Sequence, residues 1–221
     1  MVETIQIHLR ADAQRNLELI LEAARAVFAE DGLDASVADV AERAGVGTAT
    51  IFRRFPTKDD LVAAILEQEL TAVATRARLA AGSDDPGTAI GEFMTSAVES
   101  FVRERCLCEA GGTDLFDRPR LQELVGEVTS AVAQLLSRAQ EAGAIRPDVV
   151  AEDIGFLISA VGQAGLRLER TSPGAWRRYL DIQLDGLRAE GARPLTRKPP
   201  TLQQLHEAKR PAVTSRKRKT A

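Results

Sequence analysis

The stretch SVADVAERAGVGTATIFRRF, residues 36–55, is the feature that most narrows the folds open to this chain. Ser36 is a candidate N-cap with Asp39 three residues later, a capping box made with the shorter acid. A short apolar face follows, and Gly45 can adopt the positive φ that ends this helix and reverses the chain. The next run, TATIFRRF, predicts another short helix that is basic. Two short helices joined by a tight glycine turn predict a helix-turn-helix.

The residues around this motif also favour helices. Residues 14–30 place apolar side chains at the three- and four-residue steps of one helical face, and Gly32 is a candidate C-cap. Ala and Leu dominate a composition with only 4% aromatic residues, which suits helices better than strands. We therefore expect an all-α protein. Its 221 residues exceed the usual length of a single domain.

The second helix of the motif has features that suit a DNA duplex. Ile51 and Phe55 are expected to face inward, and the small residues at its N-terminal end would fit a major groove. Lys58 falls in the first turn of the next helix, where a cation is unfavourable unless an anion such as a phosphate lies nearby. An ordinary helical hairpin in a bundle is the alternative. The predicted DNA contacts are Ser36, Val37, Gly47, Thr48, Ala49, Thr50, Phe52, Arg53, Arg54 and Lys58.

Residues 16–65 resemble the DNA-binding region of the tetracycline-repressor (TetR) family of transcriptional regulators. The resemblance rests on ordered landmarks: an A-x-x-x-F helix, a G-x-x-x-x-S step, VADVAERAGV, the recognition helix and FPTKDDL. Three residues depart from the family pattern. Gly47 replaces a serine cap, Ile51 replaces a leucine, and Phe52 replaces a tyrosine whose hydroxyl commonly contacts DNA. Phe52 cannot donate that hydrogen bond. Its ring would instead contact a thymine methyl, or the neighbouring arginines would make the phosphate contact.

The resemblance implies a domain organisation. Residues 1–58 would form a three-helix helix-turn-helix domain, and residues 59–190 a larger helical effector-binding and dimerisation domain. Within the second domain we predict helices at 57–81, 86 to about 105, about 120–142, about 148–169 and 173–190. A homodimer would place two recognition helices in successive major grooves of a pseudo-palindromic operator. A small-molecule effector would release it, and repression is the family default.

The effector pocket is expected among the helices of residues 86–180. Large side chains at helical spacing are the candidate lining, although aromatic residues in such a pattern are more often plain core. The candidates are Phe93, Met94, Phe101, Phe116, Phe156 and Trp176.

The last two predicted helices carry more apolar surface than one intramolecular contact requires. The first has a seam of small residues, and the second has one apolar stripe, with Tyr179 and Ile182 on another. In the family, such a pair forms a four-helix dimer interface, and a two-sided buried helix in a monomer is the alternative. The predicted interface residues are Gly155, Ser159, Gly162, Trp176, Leu180, Leu184 and Leu187.

Charge is distributed unevenly along the chain. The formal net charge is −3, but residues 193–221 contain nine Lys or Arg and a single Glu, or +8, which leaves −11 on the rest. Residues 191–221 are also rich in proline and poor in apolar side chains, so we predict a basic disordered tail. It is either a solubilising extension or a mobile arm that adds non-specific phosphate contacts.

The residues offer little for catalysis. His8 and His206 are the only histidines, and both fall outside the predicted folded part, so no catalytic triad, metal site or cofactor site is assembled. AGVGTA follows a helix and lacks the lysine of a phosphate loop. Cys106 and Cys108 imply no disulfide framework but leave a redox-sensing regulator open. A ligand-independent architectural DNA-binding protein is a further alternative. With no membrane span or signal sequence, we expect a cytoplasmic protein that is not an enzyme.

Overall fold

The computed structural model describes residues 2–104, 114–201 and 204, with side chains from residue 14 onward. These residues form α-helices and two 3₁₀ turns, at Gly32–Asp34 and Asp114–Asp117, which confirms the all-α class. The helices are α1 (Val2–Asp31), α2 (Val37–Ala44), α3 (Thr48–Arg54), α4 (Lys58–Ala81), α5 (Pro86–Arg103), α6 (Pro119–Glu141), α7 (Ala151–Leu168) and α8 (Trp176–Leu187).

Helix α1 begins well before the apolar periodicity that predicts it. It starts at Val2 rather than near residue 14, because residues 2–13 contain neither Pro nor Gly and include several strong helix formers. His8 therefore lies within α1. The later helices match the predicted ones apart from a few residues at their ends.

The ends of the short helices are set by local hydrogen bonds. Ser36 Oγ accepts from the Asp39 amide (3.2 Å), and the Asp39 carboxylate accepts from the Ser36 amide (2.8 Å). Thr57 and Asp60 form the same reciprocal pair at the start of α4. Gly45 ends α2 with φ +66°. The predicted capping box and glycine turn are thus confirmed, since each satisfies amides or carbonyls that a helix end leaves unpaired.

Buried apolar side chains among the described residues form two cores. The first, which we call the core of the head, joins α1, α2, α3 and the first half of α4 around residues such as Phe28 and Ile51. It also contains Leu115, Leu121 and Leu124, from the second 3₁₀ turn and the start of α6. The packing of the head therefore extends past residue 58 and includes side chains from much later in the chain.

The second core belongs to the remaining helices, which we call the body. It joins the second half of α4 with α5, α6, α7 and α8 around fully buried side chains such as Met94, Leu135 and Ile154. Helix α4 contributes to both cores and packs along α6. Because one continuous helix takes part in both, a change in its position alters the packing of the head and of the body together.

The start of the predicted tail is attached to the body. Arg146 forms an ion pair with Asp148 (2.6 Å), and its guanidinium also donates to the Arg193 carbonyl. The Leu195 amide donates to the Asp148 carboxylate (2.8 Å). The hydrogen bond from Arg146 holds the pKa of Asp148 far below its usual range. Residues 191–201 are exposed along this course, and most of the remaining tail, including His206, lies outside the described residues.

Candidate nucleic-acid interface and ligand cavity

Helix α3 has a buried side and an open side. Ile51 and Phe55 are buried in the head at 1% and 6% exposure, as predicted from their spacing. Phe52 is 47% exposed, and Arg53 and Arg54 next to it are also exposed. The buried pair fixes the rotation of the helix about its axis, so the remaining side chains face outward in a set orientation. This open face contains an aromatic ring and two guanidinium groups.

The other predicted DNA contacts divide into exposed and buried residues. Ser36, Gly47, Thr48 and Ala49 are exposed, and Thr50 is half-buried. A Cβ added at Gly47 would meet nothing within 4 Å, so a serine would fit there sterically. Val37 is buried in the head at 8% exposure, because the apolar face of α2 packs inward. Its side chain therefore cannot reach DNA, and only its backbone amide remains a candidate contact.

Lys58, predicted to contact a phosphate, has partners within its own chain. Its ammonium group donates to the Leu33 carbonyl and lies 5.8 Å from the centre of the Phe28 ring. Both groups present negative potential to the cation, which offsets its unfavourable place in the first turn of α4. An external phosphate is thus not needed to explain this lysine, which instead joins α4 to the segment before α2.

A cavity of about 230 Å³ lies in the body between α4, α5, α6 and α7. Its wall is mainly apolar, and Phe93, Phe101, Phe116 and Phe156 line it, as the sequence predicts. Ser100, Thr129 and Ser159 supply hydroxyls, and Glu69 and Glu152 supply carboxylates. A mostly apolar wall with a few polar groups is the usual composition of a small-molecule site.

Two predicted lining residues belong to the core instead. Met94 is fully buried, and Trp176 is 2% exposed within the core of the body. A Cβ added at Gly165 would lie 2.9 Å from the Trp176 Cβ, so the indole packs closely against α7. Their spacing resembled that of the cavity residues, but both side chains fill space between helices.

The predicted seam of small residues faces more than one environment. Gly162 is buried against Phe101 of the same chain: an added Cβ would lie 2.4 Å from Phe101 Cδ1. Gly155 is exposed, with nothing within 4 Å of an added Cβ, and Ser159 lines the cavity with it. Gly162 is therefore small because α5 approaches α7 within one chain, and it cannot belong to an interface between two chains.

The predicted apolar stripe of α8 also faces inward. Trp176, Leu180 and Leu187 are buried in the core of the body, and Leu184 packs against that core. The other stripe faces out: Tyr179 is 50% and Ile182 58% exposed. Phe156 of α7 is exposed by 59%. The sequence showed both stripes of α8 but not which of them the chain's own core covers.

Contacts that the sequence analysis missed join the head to the body. Arg25 of α1 donates from Nη1 to Glu69 (2.7 Å) and from Nη2 to Gln68 (3.0 Å), both in α4. The same Nη1 lies 3.3 Å from Glu104, just after α5. Farther along, Arg118 donates to Asp60 (2.8 Å) at the start of α4. No periodic signal marks these pairs, because each joins residues distant in sequence.

Several predictions involve chemistry other than DNA or ligand binding. Cys106 and Cys108 lie outside the described residues. Among the side chains that the structure describes, no group of three or more His, Cys, Asp or Glu could hold a metal ion. Within the same part of the chain, no helix has the length and apolar character required to cross a membrane.

Two family models match the chain. Residues 20–65 match the model described as bacterial regulatory proteins of the tetR family. Residues 85–189 match the model described as the C-terminal domain of SbtR-like transcriptional regulators. The first match contains the helix-turn-helix of the head, and the second contains most of the body. Between them, the two matches include α2, α3, α5, α6, α7 and α8 in full.

Individual relatives agree with these matches. A TetR transcription regulatory protein from Mycobacterium vanbaalenii is 33% identical, with 81% of this chain and 99% of that one covered and a TM-score of 0.61. The transcriptional repressor KstR2 of Mycobacterium tuberculosis is 26% identical over 78% of this chain and 92% of its own length. The regulator UidR of Escherichia coli is 25% identical over 64% of this chain and 75% of its own. With its outward-facing helix α3, its all-helical body and these matches, the chain belongs to the TetR family of bacterial transcriptional regulators.

Proposed function

We propose that this protein is a cytoplasmic repressor that binds a pseudo-palindromic DNA operator as a homodimer and is released by a small-molecule effector. The observation that carries the proposal is the open face of α3, where Phe52, Arg53 and Arg54 are exposed above the buried Ile51 and Phe55. The name of the relative KstR2, a transcriptional repressor, supports repression rather than activation.

The DNA-binding step can be tested with an operator selected from a randomised duplex library. Replacing both Arg53 and Arg54 with Ala should weaken operator binding and lower the slope of log affinity against log salt by about 2, since each lost phosphate contact lowers it by roughly 0.9. The matched control replaces Arg78 and Arg177 with Ala. Both are exposed arginines of the body, and each forms an ion pair, with Glu127 and Glu99 respectively. If the α3 variant binds like this control, α3 does not contact DNA.

The homodimer is proposed to form through the outer face of α7 and α8. Tyr179, Ile182 and Phe156 leave large apolar side chains exposed there, and burying them would favour association. We expect Ile182→Glu to produce monomers in sedimentation velocity and to weaken operator binding, because two linked heads bind a palindrome more tightly than one. Leu79→Glu is the control, since Leu79 is an exposed apolar residue of α4. A dimeric Ile182→Glu protein would place the interface elsewhere.

The effector is proposed to bind the cavity lined by Phe93, Phe101 and Phe116. The apolar wall favours a mainly apolar molecule, and the volume of about 230 Å³ favours a small one. This cavity is also what favours a ligand-responsive regulator over an architectural DNA-binding protein. Filling it with Ala97→Phe should reduce binding of a neutral probe such as 1-adamantanol in calorimetry. Unchanged binding would show that the probe occupies another place.

A further inference from the structure

Glu69 both lines the cavity and binds a side chain of the head. Its side chain lines the cavity, and its carboxylate accepts the 2.7 Å hydrogen bond from Arg25 of α1. The two side chains are only 13% and 20% exposed, so water screens their interaction poorly. A ligand group that binds the Glu69 carboxylate therefore competes directly with a side chain of the first helix of the head.

Arg25 has a second carboxylate within reach. Its Nη1 lies 3.3 Å from Glu104, whose side chain is 8% exposed. Separating a buried cation from its only partner is costly, but Arg25 can move toward Glu104 and stay paired. An exchange of Glu69 for Glu104 thus requires a small displacement of the guanidinium and no unpaired charge on Arg25.

The charges around this point favour a cation in the cavity. Glu69 and Glu104 share the guanidinium of Arg25, so these three side chains together carry one negative charge in excess. Arg103 lies 3.6 Å from Glu104, but its side chain is 63% exposed and well screened by water. Glu152 adds another carboxylate to the cavity wall. An ammonium group placed beside Glu69 would compensate the excess charge in a poorly solvated place.

Resting on the ligand-responsive function proposed above, we propose that the effector is a mainly apolar molecule with one protonated amine. The apolar part fills the space between the phenylalanine rings, and the ammonium group binds Glu69. Arg25 then shifts to Glu104, and α1 loses its ion pair with α4. This moves the attachment of α1 from α4 to the end of α5. The head then changes its position on the body, so that two heads of a dimer no longer hold the spacing that an operator requires.

Arg76, another cation near the cavity, would favour a carboxylate ligand over an amine. Arg76 donates to the Ser100 hydroxyl (3.2 Å), and its Nε is buried without a hydrogen-bond partner among the described residues. Ser100 lines the cavity, whereas Arg76 is not part of its wall. A carboxylate ligand would be favoured only if Arg76 turned past Ser100 into the cavity.

The first experiment compares three probes with the same apolar cage: 1-adamantylamine, 1-adamantanol and adamantane-1-carboxylate. Calorimetry on the full-length protein at neutral pH should rank the amine tightest and the carboxylate weakest. Glu69→Gln should lower the affinity for the amine to that for the alcohol and leave alcohol binding unchanged. The wild-type ranking needs no variant, so it tests the proposal even if Glu69→Gln folds poorly. A carboxylate that binds tightest overturns the proposal, as does a Glu69→Gln protein that keeps its preference for the amine.

The second experiment measures the effect of the amine on binding of the selected operator. Coupling between two sites of one protein is typically five- to 150-fold, and we expect 1-adamantylamine to lower operator affinity within about that range. Glu127→Gln is the matched control, because Glu127 is a carboxylate of the body that does not line the cavity, and this variant should retain the effect. Glu69→Gln should lose it. If saturating amine leaves the wild-type affinity unchanged, the link through Arg25 is wrong.

Different results would contradict the proposed function and the inference about Glu69. If no operator can be selected, or if 1-adamantanol does not bind the cavity, the proposed function fails. If the operator and the alcohol both bind but the amine has no advantage, only the inference about Glu69 fails.

Discussion

The contact between Gly162 and Phe101 gives a sharp test of the packing in the body. An ideal Cβ at position 162 would lie 2.4 Å from Cδ1, 2.7 Å from Cγ and 3.0 Å from Cβ of Phe101. Carbon atoms in favourable contact are about 3.5–4.0 Å apart. The overlap includes the base of the Phe101 side chain, which cannot move without the backbone. Gly162→Ala should therefore force α5 and α7 apart or push the ring toward the cavity that it lines.

The expected magnitude follows from two opposing terms. Overpacking a close helix contact costs about 1–3 kcal/mol, and Ala gains up to about 1 kcal/mol over Gly within a helix. We expect Gly162→Ala to lower the free energy of unfolding by about 1–2 kcal/mol. Gly126 of α6 is the matched control, since an added Cβ there meets nothing within 4 Å. Gly126→Ala should raise the free energy of unfolding by about 0.5–1 kcal/mol.

Both variants should be unfolded in urea at one protein concentration, because dimerisation would link stability to concentration. Binding of 1-adamantanol provides a second measurement: a Phe101 ring pushed inward would reduce the space available to the probe. A Gly162→Ala protein as stable as Gly126→Ala would refute the reasoning, because the close contact would then cost nothing.

Three further predictions test individual contacts. Truncation after Thr196 removes eight of the nine tail cations but keeps the attachment at Arg146. This truncation should flatten the salt dependence of binding to operator and to random DNA alike. An unchanged slope would mean that the tail is a solubilising extension. Lys58→Met should lower the free energy of unfolding by about 1 kcal/mol, because the hydrogen bond to the Leu33 carbonyl is lost. The slope of log DNA affinity against log salt should stay the same, and a decrease of about 0.9 in its magnitude would mean that Lys58 contacts phosphate. Hydrogen bonds from Thr57 and Arg118 lower the pKa of Asp60. Its ionised form therefore stabilises the fold above about pH 4, and this stabilisation is lost as the pH falls further. The free energy of unfolding of Asp60→Asn should lack this loss in an acid titration.

The head was predictable because its signals are local. A capping box joins residues three apart, and a positive-φ turn needs one glycine, so Ser36, Asp39 and Gly45 could be assigned without knowing the rest of the fold. Ile51 and Phe55 lie four residues apart, which places them on one side of a helix whatever its surroundings. The same local reasoning did not find the internal partner of Lys58, because Leu33 lies in a 3₁₀ turn whose position relative to α4 depends on tertiary packing.

The body was predictable in its helices but not in the faces they bury. Periodicity shows that α8 has one stripe with Trp176 and Leu180 and another with Tyr179 and Ile182, but both are apolar. The choice between them depends on how α8 crosses α5 and α7, which is a property of tertiary packing. Gly162 was misassigned for the same reason, since a small residue indicates close approach without saying which chain approaches.

The second 3₁₀ turn explains how the cavity and the head can respond to each other apart from Arg25. Leu115 is buried in the core of the head, and the next residue, Phe116, lines the cavity. A short 3₁₀ turn fixes the backbone angles of consecutive residues, so a ligand that displaces the Phe116 ring also acts on the position of Leu115. Arg118, which follows this turn, is bonded to Asp60 at the start of α4 and so opposes independent motion of the turn and the head. The ion pair of Arg25 is thus one connection beside this turn and the shared helix α4. The Glu69→Gln protein isolates the share of the ion pair: whatever release a bulky neutral probe still causes in that variant must pass through the other connections.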